Sequence, residues 1–255
     1  MSFYEHVRAD VLRHGAINNT YLTRFQAGEV TDREFHEFAV EFYSFARFFP
    51  RILAAQLVNT EDEAVADELT KVLYSELGDG IVKHRHELLY RNFLRSIGID
   101  IHDAMHTPMK PSTRAYIQGM ERLYSSRHHA TALGASFGLE NMAITMWDHL
   151  IPGLILLKED RYPQMDITYF TFHRQLESAH EKAMEHAVEA VGGAGANGCA
   201  TMSAQEHRDF CLGMNAVLDY LEGFWMGLER KASGIRRSRP QPARQLASEL
   251  RGQSH

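Results

Sequence analysis

Residues 166–191, DITYFTFHRQLESAHEKAMEHAVEAV, form the segment around which the rest of the chain is organised. Their composition is helical throughout, but His173, Glu177 and His180 stand where apolar residues would be expected. At about 100° per residue, Glu177 lies about 40° to one side of His173, and His180 lies about 20° to the other. The three side chains therefore share one stripe with apolar neighbours, and the pattern predicts that this stripe faces the core.

Two interpretations of this polar triplet are open. In the first, the two histidines are core residues with ordinary hydrogen bonds and Glu177 pairs with a neighbouring cation. In the second, the triplet binds metal, because a buried carboxylate needs a partner and because imidazole with carboxylate suits iron, manganese or zinc.

Composition limits the classes of protein that fit. The chain has 255 residues, of which 44% are hydrophobic and 24% are charged, which is enough for a single domain with one sizeable core. A formal net charge of −6 gives no broad positive field for nucleic acid or an anionic membrane. We therefore expect a small-molecule partner, and a homodimer is left open. The 15 histidines favour metal or proton chemistry without locating it.

Several features predict a cytoplasmic protein. Cys199 and Cys211 form neither a CxxC motif nor a disulfide framework, as is usual in a reducing compartment. No apolar run approaches the roughly 20 residues that span a bilayer, and the first residues lack a signal-peptide core. We assign residues 1–232 to one helical domain and residues 233–255 to a basic, loosely held tail.

Helix signals continue along the whole chain, whereas no strand signal of any length is present. Capping-box pairs predict helices opening at Thr31, Thr60 and Ser203. The first of these helices carries a row of aromatic residues that should form a core wall, and Pro50 should kink or restart it. Loop signals fill residues 98–112, and a helix should follow over 113–128. The fold class is therefore predicted to be all-α, with seven or more helices.

Three further residues are candidates for the same site. Glu140 is the single acid in an otherwise apolar helical segment, ATALGASFGLENMAITMWDHL, so we expect a buried carboxylate, held either by a metal or by a buried Arg or His. Glu76 ends one helical segment, and His86 belongs to the first turn of the next, which resumes near His84. Glu76 and His86 can meet only if the linker between them folds back or remains nearly helical.

These residues carry a resemblance to a known family, the haem-oxygenase-like di-iron oxidases, which share their helical fold with pyrroloquinoline-quinone synthase and thiaminase II. The similarity spans roughly residues 31–228, and the H-x3-E-x2-H pattern of residues 173–180 is its most specific element. The other matching phrases are FFPRILAAQL, His86 with ELLYRNFLRSIG, ALGASFGLEN, YFTFHRQLESAH and EGFWMGLE.

The resemblance implies a set of metal ligands: Glu76, His86, Glu140, His173, Glu177 and His180. Asp79 competes with Glu76 as the first carboxylate, His84 competes with His86, and Glu41 is a further candidate because some members recruit a glutamate from the preceding helix. If His173, Glu177 and His180 together held one ion, that ion should survive loss of Glu76 better than loss of either histidine.

The resemblance also implies two Fe(II) ions and O2 as co-substrate. The reaction would be N-oxygenation, desaturation or C–C cleavage of a small molecule, and we expect an amino-acid-derived one. Tyr169 and Arg127 are candidate substrate-binding residues, and the cationic side chains that could meet a carboxylate also include Arg47, Arg51, His128 and His129. One alternative is a metal-free enzyme similar to pyrroloquinoline-quinone synthase or thiaminase, with acid–base work by His86, Glu140 and Glu222. The other is a non-catalytic helical protein that binds metal.

Overall fold

A computed structural model describes residues 3–192 and 202–229 of the chain. The predicted tail at 233–255 and most of the glycine-rich connection after residue 191 lie outside this range. Within it, every regular element is helical, which confirms the all-α prediction. The helices are α1 (Phe3–Arg13), α2 (Thr20–Gln26), α3 (Asp32–Val58), α4 (Glu63–Glu76), α5 (His86–Ser96), α6 (Ile101–His106), α7 (Pro111–Tyr124), α8 (His129–Asp160), α9 (Thr168–Gly192) and α10 (Ala204–Leu228), with a short 3-10 helix at Val82–His84.

Local sequence fixes several helix ends as predicted. Thr31 and Ser203 each form a complete capping box, with Glu34 and Glu206 respectively, so that side chains satisfy backbone N–H groups at the starts of α3 and α10. The prediction for α4 was wrong by two residues. Asp62 caps this helix by accepting from two backbone N–H groups, because the Thr60 hydroxyl instead donates to the carbonyl of Gln56.

Three other expectations differ from the structure at least in part. Pro50 was expected to kink or restart α3, and the restart is wrong because one helix continues through Pro50 to Val58. The segment 98–112 was expected to be loop throughout, but Asp100 caps α6 within it by accepting from two backbone N–H groups. The helix predicted over 113–128 begins at Pro111 and ends at Tyr124. Proline at the first helical position loses no intrahelical bond, which explains the earlier start.

The long helices α3, α8, α9 and α10 enclose the core. The aromatic row of α3 is buried as predicted, and its members are Phe35, Phe38, Phe42, Phe45 and Phe49. Helix α8 is apolar on nearly all faces because it contacts α10, α9, α2 and α7 on its different sides. None of the helices in the described residues is long and apolar enough to cross a membrane.

Glycines bring α8 and α10 unusually close together. A Cβ atom on Gly134 of α8 would overlap the backbone carbonyl of Phe210, and a Cβ atom on Gly213 of α10 would overlap that of Thr131. This reciprocal contact fixes α8 against α10 near the turn that precedes Glu140. The backbone that carries Glu140 is therefore rigidly supported.

Candidate metal centre

Four helices present the six predicted ligands. Glu76 ends α4, His86 begins α5 and Glu140 lies in the middle of α8, while α9 supplies His173, Glu177 and His180. All six side chains are buried, with 5% or less of each residue exposed. They fall into two groups, and within each group one ligand atom per residue lies within 4.8 Å of the others.

The linker between α4 and α5 does fold back, which brings Glu76 to His86. Gly78 ends α4 with φ of 90° and Asp79 has φ of 51°. The amides of Gly78 and Asp79 bond to the carbonyls of Ser75 and Tyr74, which forms a Schellman motif. The 3-10 turn then leads directly into His86. The sequence pattern left this convergence open because it depends on positive φ at three consecutive residues, Gly78, Asp79 and Gly80.

The first group consists of Glu76, His86 and His173. Glu76 Oε2 lies 2.8 Å from His86 Nδ1, and Glu76 Oε1 lies 3.6 Å from His173 Nε2. His173 Nδ1 lies 2.9 Å from the carbonyl oxygen of Tyr169, so the proton belongs on Nδ1 and Nε2 is left to face the carboxylate. Burial opposes ionisation of Glu76, but the two imidazoles outweigh it and hold the pKa of this carboxyl well below its usual range.

The second group consists of Glu140, Glu177 and His180. His180 Nδ1 lies 3.3 Å from Glu140 Oε2 and 3.8 Å from Glu177 Oε2. Burial disfavours the charged forms of both Glu177 and His180. Burial raises the pKa of Glu177 to about 7. For His180, burial is outweighed by the hydrogen bond and charge of Glu140, and the pKa rises to about 9.

Both groups fit metal ions. Four buried atoms in them have no hydrogen-bond partner: His86 Nδ1, His86 Nε2, Glu177 Oε2 and His180 Nε2. Buried polar atoms are rarely left without a partner, and a cation would provide one. Three imidazoles and three carboxylates form a donor set suited to iron, manganese or zinc, and the carboxylates would offset most of the charge of two divalent ions.

The α9 triplet is divided between the two groups. His173 joins Glu76 and His86, whereas Glu177 and His180 join Glu140. Helical spacing placed the three residues on one stripe but could not assign them, because the division depends on which carboxylates face the stripe from α4 and α8.

The three residues left as less certain ligands are not in either group. Asp79 is exposed in the linker, and the half-buried ring of His84 packs at 5.2 Å from the Phe172 ring. Glu41 is buried, but its carboxylate accepts from the backbone N–H of Lys110 at 3.1 Å, so it secures the start of α7. Within the described residues, the contacts that His84 and Glu41 make therefore support the helices around the centre and do not contribute to either ligand group.

A cavity of about 40 Å³ borders both groups and has room for a few water-sized molecules. Five of the six candidate ligands line it, His86 being the exception. The remaining wall is almost wholly apolar: Phe45, Ala46, Phe49, Leu139, Met142, Ala143, Met146, Trp147 and Tyr169. We call these residues the apolar wall, and they offer few hydrogen-bond partners to water in the cavity.

The predicted substrate-binding residues have different positions. Tyr169 is buried in the apolar wall, with its ring centroid 4.3 Å from that of His173. Burial raises its pKa well above the ordinary value, so its phenol stays protonated. Arg127 is exposed in the turn before α8 and is not among the residues that line the cavity. Arg51, His128 and His129 are also exposed and do not line the cavity, and half-buried Arg47 stacks on Phe48 instead.

Comparison with known proteins identifies the family. A family model described as "iron-containing redox enzyme" matches residues 36–220, which is well over half of the chain. The chain belongs to this family. This iron-containing redox enzyme family is haem-oxygenase-like in fold, which confirms the family resemblance and the fold predicted from the sequence.

One characterised relative of this family member is 4-chloro-allylglycine synthase of Streptantibioticus cattleyicolor. The two are 24% identical over 228 residues, which cover 89% of this chain and 82% of the relative. The family and this relative together place the chain among the oxidoreductases.

Solved structures share the fold at low identity. A CADD-like protein of unknown function from Nostoc punctiforme has a TM-score of 0.70 at 17% identity and covers 88% of this chain and 96% of its own. A TenA homologue from Pseudomonas syringae has a TM-score of 0.68 at 13% identity, covering 84% and 86%. A haem-oxygenase-like domain from Shewanella denitrificans has a TM-score of 0.64 at 18% identity, covering 88% of each chain.

Sequence reasoning missed one polar residue at the centre. The indole Nε1 of Trp147 donates to Glu177 Oε1 at 2.7 Å. In the sequence, Trp147 belongs to the otherwise apolar segment that contains Glu140. The available signal was its position seven residues after Glu140, which on a helix places the two about 20° apart on the same face.

Proposed function

We propose that this chain is a non-haem di-iron oxidase that uses O2 to oxidise a small, amino-acid-derived substrate. The observation that carries the proposal is the pair of buried ligand groups, Glu76 with His86 and His173, and Glu140 with Glu177 and His180, which border one apolar cavity. Two bound Fe(II) ions would supply the electrons that reduce O2, and two adjacent metals are a recurrent device for such chemistry.

The side chains of this centre have separable roles. The six ligands would hold the two ions, and their three carboxylates would lower the net charge of the buried centre. The apolar wall disfavours water beside the ligands, which would limit side reactions of an oxidised site with solvent. The protonated phenol of Tyr169 lies beside His173 and can donate a hydrogen bond to a substrate group that enters the cavity.

The relative supports an amino-acid substrate, because its name gives an unsaturated amino acid as product. Among the described residues, those that line the cavity include no lysine or arginine. We therefore propose that the carbon chain of the substrate faces the ligands, while its charged groups lie nearer the entrance. Desaturation or C–C cleavage of an aliphatic side chain fits such an arrangement better than oxidation of a charged amine.

The metal-free alternative receives less support. It requires His86, Glu140 and Glu222 to act together, but Glu222 lies beside His14 and Asp219 in a separate, partly exposed group. Its carboxylate packs against Gly15, at the start of the chain segment between α1 and α2. The acid–base set of that alternative is thus not brought together.

The test is anaerobic loading with Fe(II), removal of unbound metal, and mixing with O2 in the presence of amino acids that have linear aliphatic side chains. We expect two irons per chain, O2 consumption that depends on the amino acid, and unsaturated or shortened products by mass spectrometry. Iron binding with O2 consumption that no substrate accelerates would favour a non-catalytic metal-binding protein. Absence of iron binding would overturn the proposal.

A further inference from the structure

Trp147 connects the apolar wall to one ligand group. It lies on α8 on the same face as Glu140, and only 3% of it is exposed. Its indole N–H donates to Glu177 Oε1 at 2.7 Å, across the contact between α8 and α9. The Trp147 ring centroid lies 5.2 Å from that of His173, so the indole contacts a member of each ligand group.

The two oxygens of Glu177 have different surroundings. Oε1 accepts the indole hydrogen bond, whereas Oε2 is buried and has no hydrogen-bond partner. Oε2 is also the oxygen that lies 3.8 Å from His180 Nδ1. The carboxylate plane is thus oriented by Trp147, with its free oxygen directed towards the other members of the second group.

We infer that Trp147 is a positioning residue of the metal centre. Its indole N–H occupies Oε1 of Glu177, so that Oε2 is the only oxygen of this carboxylate left to bind metal. The inference rests on the proposed function, since it assumes that the second group holds an ion. Without the indole, the carboxylate could rotate or present both oxygens to the ion. Hydrogen-bond partners of metal ligands typically contribute 10–100-fold to metal affinity.

The chain contains a matched control. It has two tryptophans, and the other, Trp225, is fully buried on α10. The Trp225 indole N–H has no hydrogen-bond partner, and its ring stacks on Tyr21 and Phe38. Replacing either tryptophan by phenylalanine removes a similar buried volume, but only Trp147→Phe removes a donor to a ligand.

The first experiment titrates wild type, Trp147→Phe and Trp225→Phe anaerobically with Co(II), whose visible absorption reports each site. We expect wild type and Trp225→Phe to bind two ions alike. Trp147→Phe should bind one ion normally and the other about 10–100-fold more weakly. Equal two-site binding by Trp147→Phe would overturn the inference and leave the proposed function intact. If wild type bound no metal, the proposed function would fail first.

A second measurement does not depend on the folding of Trp147→Phe. In Trp225→Phe, Trp147 is the only tryptophan, and its fluorescence should change as Zn(II) fills the second group. Adding Glu140→Gln should remove more of this change than adding Glu76→Gln, because the indole N–H bonds to Glu177 of the second group whereas its ring only lies beside His173 of the first. A fluorescence change that followed Glu76 instead, or no change in the Trp225→Phe protein with two bound ions, would overturn the inference.

Discussion

Each ligand of the candidate centre belongs to one of two groups, and this division determines what its loss should do. Glu76→Ala leaves Glu140, Glu177 and His180 in place, so about one ion per chain should remain while O2 consumption is lost, since two adjacent ions are needed. His180→Ala should instead remove the ion of the second group and leave that of the first. Both variants should therefore retain about the same number of ions per chain.

Iron content after anaerobic loading, with O2 uptake, measures both effects. Exposed Glu121→Ala on α7 is the control and should match wild type. Full iron content and normal turnover in Glu76→Ala would show that the first carboxylate is a different residue. A loss of both ions in either variant would show that the two groups bind metal as one unit.

Protonation should make metal binding by the second group strongly dependent on pH. In the metal-free protein His180, with a pKa of about 9, holds a proton at neutral pH, and Glu177, with a pKa of about 7, holds one at lower pH. A metal must displace these protons, so affinity should rise with pH by about tenfold per unit for each proton released. Zn(II) competition titrations of Glu76→Ala between pH 6 and 8 measure this slope, and a flat profile would contradict it.

At the scale of elements, the linker between α4 and α5 determines whether the first group assembles. Gly78 has φ of 90°, and a Cβ atom there would lie 2.6 Å from the carbonyl oxygen of Ile81 and 2.7 Å from the amide of Arg85. Gly98 has φ of 78° but no atom within 4 Å of such a Cβ. An alanine at Gly98 therefore adds only the backbone strain of a positive φ, whereas an alanine at Gly78 adds the same strain and a steric collision.

Gly78→Ala should reduce metal binding by the first group, because the collision displaces His86 from Glu76. Gly98→Ala should only lower the free energy of unfolding, by roughly 1–2 kcal/mol for the left-handed conformation. Metal stoichiometry and urea unfolding of both variants measure the two effects. Two ions bound to Gly78→Ala with wild-type affinity would show that the linker adapts without moving the ligands.

The contact between α8 and α10 should be intolerant of any added side-chain atom. Gly213→Ala forces a Cβ atom into the carbonyl of Thr131 and should cost roughly 1–3 kcal/mol or more of unfolding free energy. Gly223→Ala, on the same helix but in open space, should be neutral or stabilise by up to about 1 kcal/mol. Similar denaturation midpoints for the two variants would mean that the helices separate easily.

At the scale of the whole molecule, metal binding should be linked to folding, since the ligands come from four separate helices. Metal at 100 times its dissociation constant stabilises the folded state by about 2.7 kcal/mol per site. Thermal melts with and without Mn(II) under argon should show a higher Tm with metal. The double variant His86→Ala/His180→Ala should show little change, and an equal rise in that variant would mean that metal binds elsewhere.

Sequence reasoning predicted the all-α class, the core wall of α3 and the burial of Glu140, because helical periodicity directly encodes which face of a helix is apolar. It could not divide the α9 triplet, place the linker torsions or find Trp147, because each of these depends on which residues face one another across helices. The prediction of Thr60 as the cap of α4 was wrong for a local reason, since its hydroxyl donates to the carbonyl of Gln56 and Asp62 accepts from the first backbone N–H groups of the helix instead.

The apolar wall has a consequence for the lifetime of the enzyme. Met142 and Met146 line the same cavity as the ligands, and a thioether is among the most readily oxidised groups in a protein. If O2 is reduced when no substrate fills the cavity, these two sulfurs are readily oxidised groups within the same wall. Their conversion to sulfoxides would place polar groups in the apolar wall. O2 reduction without substrate would therefore leave methionine sulfoxides that peptide mass spectrometry could count.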